Sequence, residues 1–153
     1  MYKDALRAAW AEINITNLDF NIKQIKEKVG SGVKITGVVK ADAYGHGSVR
    51  VATVLRANGI ESFAVATLSE AVRLRKAGFL LEEIMVLSPI PEPYIDTIIE
   101  HRLSPVVCDY KNAEAISKAA AAAGIIIKGY IAVDTGMGRI GYSDDVTSVE
   151  DVK

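Results

Sequence analysis

The chain has 153 residues, 50% apolar and 24% charged, with a formal net charge of -1. That is enough for one domain with a real core, and too neutral to draw the chain toward nucleic acid or an anionic membrane. The single cysteine, Cys108, excludes an internal disulfide, no apolar stretch reaches the roughly 18 residues of a membrane span, and residues 1–7 lack the apolar part of a signal peptide.

The first element predicted lies in residues 9–15. Ala9, Ala11, Ile13 and Ile15 alternate with Trp10, Glu12 and Asn14, which reads as a strand with one buried face. It stands apart as an N-terminal segment over 1–15. Asn17 is placed to cap a helix carrying Leu18, Ile22, Ile25 and Val29, and Gly30 ends it. From there short β-branched runs alternate with helical patterns. Strands are predicted over 34–39, 62–66, 84–87, 104–108 and 125–133. They lack polar alternation, as expected for parallel strands buried on both faces. Between them lie a helix with Val51, Val54 and Leu55 before Gly59, and one with Ala71 and Leu74 before Gly78. A third, carrying Ile95, Ile98 and Ile99, is opened by Pro91 or Pro93, and an alanine-rich helix over 113–123 ends at Gly124.

Strand intervals of about 20 to 30 residues fit repeated βα units joined by right-handed crossovers. Five such units suit either an open doubly wound sheet or part of a (β/α)8 barrel, and periodicity does not choose between them. A complete barrel needs roughly 200 residues or more.

Two segments carry chemistry. The first is Val38-Val39-Lys40-Ala41-Asp42-Ala43-Tyr44-Gly45-His46-Gly47. Lys40 directly follows a buried-type strand, and ligands of α/β folds sit beyond the carboxyl ends of strands. A partly desolvated lysine there is a nucleophile toward an aldehyde. Gly45 and Gly47 allow close approach of the backbone to a ligand, and Tyr44 offers a hydroxyl to a phosphate oxygen. An ordinary βα loop with a surface lysine is the competing reading, and no phosphate-loop pattern is present. The second segment is Val133-Asp134-Thr135-Gly136-Met137-Gly138-Arg139-Ile140-Gly141-Tyr142, again after an apolar run. Its glycines suit a tight loop beside a ligand. Arg139 is a fixed positive fork suited to a phenolate or carboxylate. Asp134 either orients Arg139 or caps the loop. Cys108 sits in an apolar run and reads as a core residue.

The lysine segment resembles the pyridoxal-phosphate attachment motif of alanine racemases, and the second resembles their Asp-Thr-Gly-Met-Gly-Arg stretch. Trp10-Ala11-Glu12-Ile13-Asn14 followed by Leu18 also looks like the start of that family, so the resemblance runs the length of the chain. It implies an α/β fold, the first part of a pyridoxal-phosphate-binding (β/α)8 TIM barrel over 16–153, with about five βα units. The rest of the barrel and a mostly β domain would lie outside this chain. It implies a homodimer that interconverts L- and D-alanine, the latter for peptidoglycan, with no metal; the missing span and signal peptide make the cytoplasm the expected place. By motif position Lys40 holds pyridoxal 5'-phosphate as a Schiff base and then serves as the base on the D-alanine α-proton. Tyr44 contacts the cofactor phosphate. Arg139 bonds the cofactor's phenolic oxygen and lies near the substrate carboxylate.

In this family the opposing base is a tyrosine from the other subunit, and further phosphate contacts come from later strands. The isolated chain is therefore expected to be inactive and, with unclosed sheet edges, prone to associate. Many relatives carry a carbamate-forming lysine at the position of Ala132, which braces the arginine. Ala132 cannot do so. The alternatives are a racemase for serine or another amino acid, a decarboxylase sharing the barrel, or a non-catalytic cofactor-binding half-barrel.

Overall fold

The computed structural model describes residues 10–143. Residues 10–14 form no strand, and Trp10 and Ala11 are exposed. The strand expected over 9–15 is therefore not formed among the described residues; Ala9 lies outside them. The reason is local. The Asn14 side chain accepts the Asn17 N–H at 3.0 Å and starts helix α1 (Ile15–Val29), so Asn14 rather than Asn17 is the cap. Gly30 closes this helix, its N–H bonding the Lys26 carbonyl.

Strand β1 (Thr36–Val38) leads into a five-residue turn, α2 (Lys40–Tyr44), and helix α3 (Ser48–Ala57). Then come β2 (Ser62–Val65), α4 (Leu68–Lys76) and β3 (Glu83–Val86). A 3-10 turn at Glu92–Tyr94, entered through Pro91, opens α5 (Ile95–His101), followed by β4 (Ser104–Val107), α6 (Tyr110–Ala122) and β5 (Tyr130–Ile131). The apolar run 125–133 thus lends only two residues to the sheet, and Ile126 is almost wholly exposed.

All five strands are parallel, and their order is β1-β2-β3-β4-β5. A doubly wound sheet reverses its strand order at a switch point. Here no reversal occurs, and right-handed crossovers in one direction put every helix on the same face. That is the winding of a (β/α)8 barrel and decides between the two folds that periodicity left open.

The core lies between sheet and helices. Phe63, Val65, Leu74, Phe79, Ile84, Val86 and Ile98 are almost completely buried there, with Phe63 and Phe79 packed edge to face at 5.4 Å. Gly37 faces Leu55 and Phe63; a Cβ there would come within 2.6 Å of the Leu55 side chain, so β1 approaches α3 only because position 37 has none. The other sheet face carries a row of polar groups at its amino end. Thr36 and Ser62 hydroxyls are 3.0 Å apart, and Glu83 accepts from Ser104 and Tyr130. Val38, on that face, is 56% exposed.

Candidate active site

The site is built at the carboxyl end of the sheet. The Val39 N–H bonds the Ala64 carbonyl at 2.9 Å, which carries the β1–β2 ladder one residue further, and the Val39 side chain is fully buried against the helices. Lys40 is the next residue. It is half-exposed, and no carboxylate forms an ion pair with it among the described residues.

Behind Lys40 the chain turns the wrong way for L-amino acids. Ala41, Asp42, Ala43 and Tyr44 all have φ of 51–52°, and Gly45 follows at 90°. Each non-glycine residue in left-handed helical geometry costs about 1–2 kcal/mol, so the surroundings must hold the turn. Within the segment, the Ala43 N–H bonds the Val39 carbonyl, and the Gly45 and Gly47 N–H groups both bond the Asp42 carbonyl. The Asp42 carboxylate accepts the Ser48 N–H at 2.9 Å and the Ser48 hydroxyl at 3.0 Å, which caps α3, and Arg73 lies 3.3 Å away. The two Ser48 bonds, aided by the Arg73 charge, hold the Asp42 carboxyl below its usual range. His46 places Nδ1 3.0 Å from the Ala43 carbonyl. Asp42 and His46 therefore support the turn.

Sequence reasoning missed Glu70. One of its oxygens accepts the Ala41 N–H at 2.7 Å; the other accepts the Ala66 and Thr67 N–H groups at 2.8 and 3.2 Å. The Glu70 N–H in turn donates to the Thr67 hydroxyl at 3.4 Å, completing a capping box. Thr67-x-x-Glu70 was the available signal for the cap. Nothing in the sequence signalled the bond to Ala41, 29 residues away.

Tyr44 ends the left-handed turn and is 73% exposed. Arg139 lies on the loop after β5. That loop closes on itself: the Asp134 N–H bonds the Tyr142 carbonyl at 2.8 Å, and the Tyr142 N–H bonds the Ala132 carbonyl at 2.9 Å. The Asp134 carboxylate accepts the Gly136 and Gly138 N–H groups at 2.9 and 3.0 Å, and these bonds, that of Gly138 foremost, draw its carboxyl below the usual range. Of the two roles open to Asp134, it fills the capping one. Gly141 has φ of 114°, and a Cβ there would meet the Ala132 carbonyl oxygen and the Asp134 nitrogen at 2.9 Å, so only glycine closes this loop. Arg139 and Met137 are exposed on it.

Lys40, Tyr44 and Arg139 share one end of the sheet, with Lys40 and Tyr44 after its first strand and Arg139 after its fifth. No hydrogen bond or ion pair among the described residues joins them. The Cys108 thiol, half-buried after β4, is pushed up by burial and by Asp109, which keeps it protonated. Among the described residues no group of three or more His, Cys, Asp or Glu could hold a metal ion, and no helix is long and apolar enough to cross a membrane.

The sequence profile described as alanine racemase, N-terminal domain, matches residues 13–152. The chain is 49% identical over 146 residues to the alanine racemase of Clostridium kluyveri, which covers 95% of this chain and 37% of that protein. The structure superposes on alanine racemase of Clostridium difficile 630 with a TM-score of 0.90 at 34% identity, covering 97% of this chain and 39% of the other. A histidine racemase from Leuconostoc mesenteroides superposes with a TM-score of 0.76 at 28% identity, over 90% of this chain and 37% of that one. The chain thus spans well under half the length of the proteins it matches.

Proposed function

The chain belongs to the alanine racemase N-terminal-domain family, and from that premise we propose that it supplies the cofactor lysine of a pyridoxal-phosphate-dependent racemase acting on alanine. The observation that carries the reading is the place of Lys40. It is the residue that directly follows the ladder of the first strand of a barrel-type sheet, half-exposed and without an acidic partner among the described residues.

The donor set fits such a cofactor: an amine for its aldehyde, a phenol for its phosphate, and a guanidinium for its phenolic oxygen. When bound, pyridoxal phosphate supplies an electron sink that makes the α-proton of an amino acid removable. Lys40 would hold it through Nζ. The same amine would remove or return the α-proton on its side of the substrate. Tyr44, carried by the left-handed turn, would donate its hydroxyl to the phosphate. Arg139 would stay charged throughout and so favour the phenolate and the substrate carboxylate. In a closed eight-strand barrel the first and fifth strands stand across the axis from each other, so the loops that carry Lys40 and Arg139 would lie on opposite sides of one barrel mouth.

On this reading, later barrel strands would supply further phosphate contacts, and the β domain of a second subunit would supply the opposing base. A homodimer in the cytoplasm, making D-alanine for peptidoglycan, completes the reading.

The test is the absorbance of the purified chain with added pyridoxal phosphate. A visible band of lysine-bound cofactor, removed by borohydride and absent in Lys40→Ala, is expected; an identical band in Lys40→Ala overturns the assignment. The substrate is tested by joining this chain to the remaining length of the Clostridium kluyveri racemase. Turnover of alanine is expected to exceed that of serine and histidine, and a preference for either of those would replace alanine as the substrate.

A further inference from the structure

We infer that Glu70 is the positioning residue for Lys40, its carboxylate fastening the amide that follows the lysine to the amino end of α4. The inference rests on the reading of Lys40 as the cofactor lysine. Most bonds that hold the left-handed turn start and end within residues 39–47, and the Asp42 bond to Ser48 secures its far side. Glu70 is the side chain that reaches the first left-handed residue, Ala41.

The two carboxylate oxygens divide the work. A capping box needs an acceptor only at the helix start, and one oxygen meets that need at Ala66 and Thr67. The other is turned to Ala41, with a short 2.7 Å bond of the charge-assisted kind. Ala66 follows β2, so the carboxylate bridges the carboxyl ends of β1 and β2. Lys40 is then pinned on both sides: the Val39 N–H lies on the Ala64 carbonyl before it, and the Ala41 N–H lies on Glu70 after it. A lysine side chain has four rotatable bonds. Fixing its backbone narrows the volume that Nζ sweeps and so raises its effective concentration against a bound aldehyde. Glu70 needs no contact with the cofactor to do this.

Glu70→Gln separates the tie from the cap. The amide oxygen can remain on Ala66 and Thr67, while the NH2 group is set against the Ala41 N–H, donor against donor. If Glu70 serves only as a cap, this variant behaves as wild type. With the tie, the circular dichroism spectrum stays the same and the melting temperature moves by only a few degrees. Exchange of the amides in 40–45 then rises on the order of tenfold. Labelling of Lys40 by pyridoxal phosphate and borohydride, read by peptide mass spectrometry, slows by about tenfold, while labelling of Lys26 and Lys34 is unchanged. The visible band of the lysine-bound cofactor weakens in parallel.

Wild-type exchange at Ala41 together with wild-type labelling of Lys40 in Glu70→Gln overturns the inference. Wild-type protein in which Lys40 is labelled no faster than Lys34 overturns the cofactor reading beneath it; the exchange measurement then still reports the tie by itself. If Glu70→Gln does not fold, Glu70→Asp takes its place. It keeps the charge and the cap but is one methylene too short to span to Ala41. It is expected to lose the same labelling, and wild-type labelling in it overturns the inference equally.

Discussion

Four successive L-residues in left-handed geometry, Ala41 to Tyr44, make the segment behind Lys40 the most strained stretch of backbone described. Nothing in their identities announces this. Alanine and tyrosine ordinarily resist a positive φ, and only Gly45 and Gly47 are at home there. The turn exists because Asp42, Ser48, Glu70 and the backbone around them over-determine it, which is how strain persists at functional sites. Substitution tests this with an unusual sign. In an ordinary exposed helix, alanine to glycine costs about 1 kcal/mol. Ala41 is exposed and has φ of 51°, so Ala41→Gly relieves about 1–2 kcal/mol of steric strain against about 0.5–1 kcal/mol of added chain entropy. The expected result is a denaturation midpoint equal to or above wild type, with stability higher by about 0.5 kcal/mol. A loss of 1 kcal/mol, on the scale of an ordinary helix, would show that the turn carries no strain.

Elements were more legible than this turn. The buried strands and the glycine-closed helices fall where their patterns place them, because fully apolar runs and helix-ending glycines are local signals. The failures have local causes as well. Residues 9–15 alternate as a strand would, but Asn14 caps a helix instead, and the apolar run 125–133 pairs over two residues only. What joins the strands at their amino ends is a side-chain network that no spacing announces. Glu83 on β3 accepts from Ser104 on β4 and from Tyr130 on β5 at 3.2 and 2.6 Å, and Lys128 lies 2.9 Å from it. Burial is the largest single influence and pushes the Glu83 carboxyl up, but the Tyr130 and Lys128 bonds, with the Lys128 charge and Ser104, together outweigh it and leave it lowered. A carboxyl lowered by folding stabilises fully above its unfolded pKa, about 4.3 for glutamate, and that stabilisation is lost as pH falls through the folded value. Denaturant titrations from about pH 7 down to pH 3 should therefore show an acid-side loss. In Glu83→Gln that loss should shrink, with stability near neutral pH lower by about 1 kcal/mol, a modest figure because the group is partly solvated. An acid limb as steep in the variant as in wild type would remove Glu83 from the account.

For the whole molecule, strand order matters more than any element. Among the described residues, five parallel strands in sequence order leave β1 and β5 with one unpaired edge each and leave Val38 exposed on the open face. Unpaired edges and an uncovered apolar face favour association. The 153-residue chain by itself is expected to sediment as more than a monomer and to show no turnover in a coupled D-alanine assay, since on the proposed reading the opposing base comes from outside it. A monodisperse monomer, or turnover lost in Lys40→Ala, would contradict the respective expectation.

Sequence alone determined the alternation of strands and helices, the two motifs at strand ends and, through them, the family, because these rest on local patterns and on residue types in order. Tertiary structure decided the rest. It chose a barrel-type winding over a doubly wound sheet, since strand order is a matter of long-range pairing. It set Lys40 and Arg139 after the two outermost strands, at one end of the sheet, and it gave Asp134 to the loop rather than to Arg139. It also tied Ala41 to Glu70 across the β1–β2 junction. A hydrogen bond between residues far apart in sequence leaves no period or spacing to read; only the folded chain brings its donor and acceptor together.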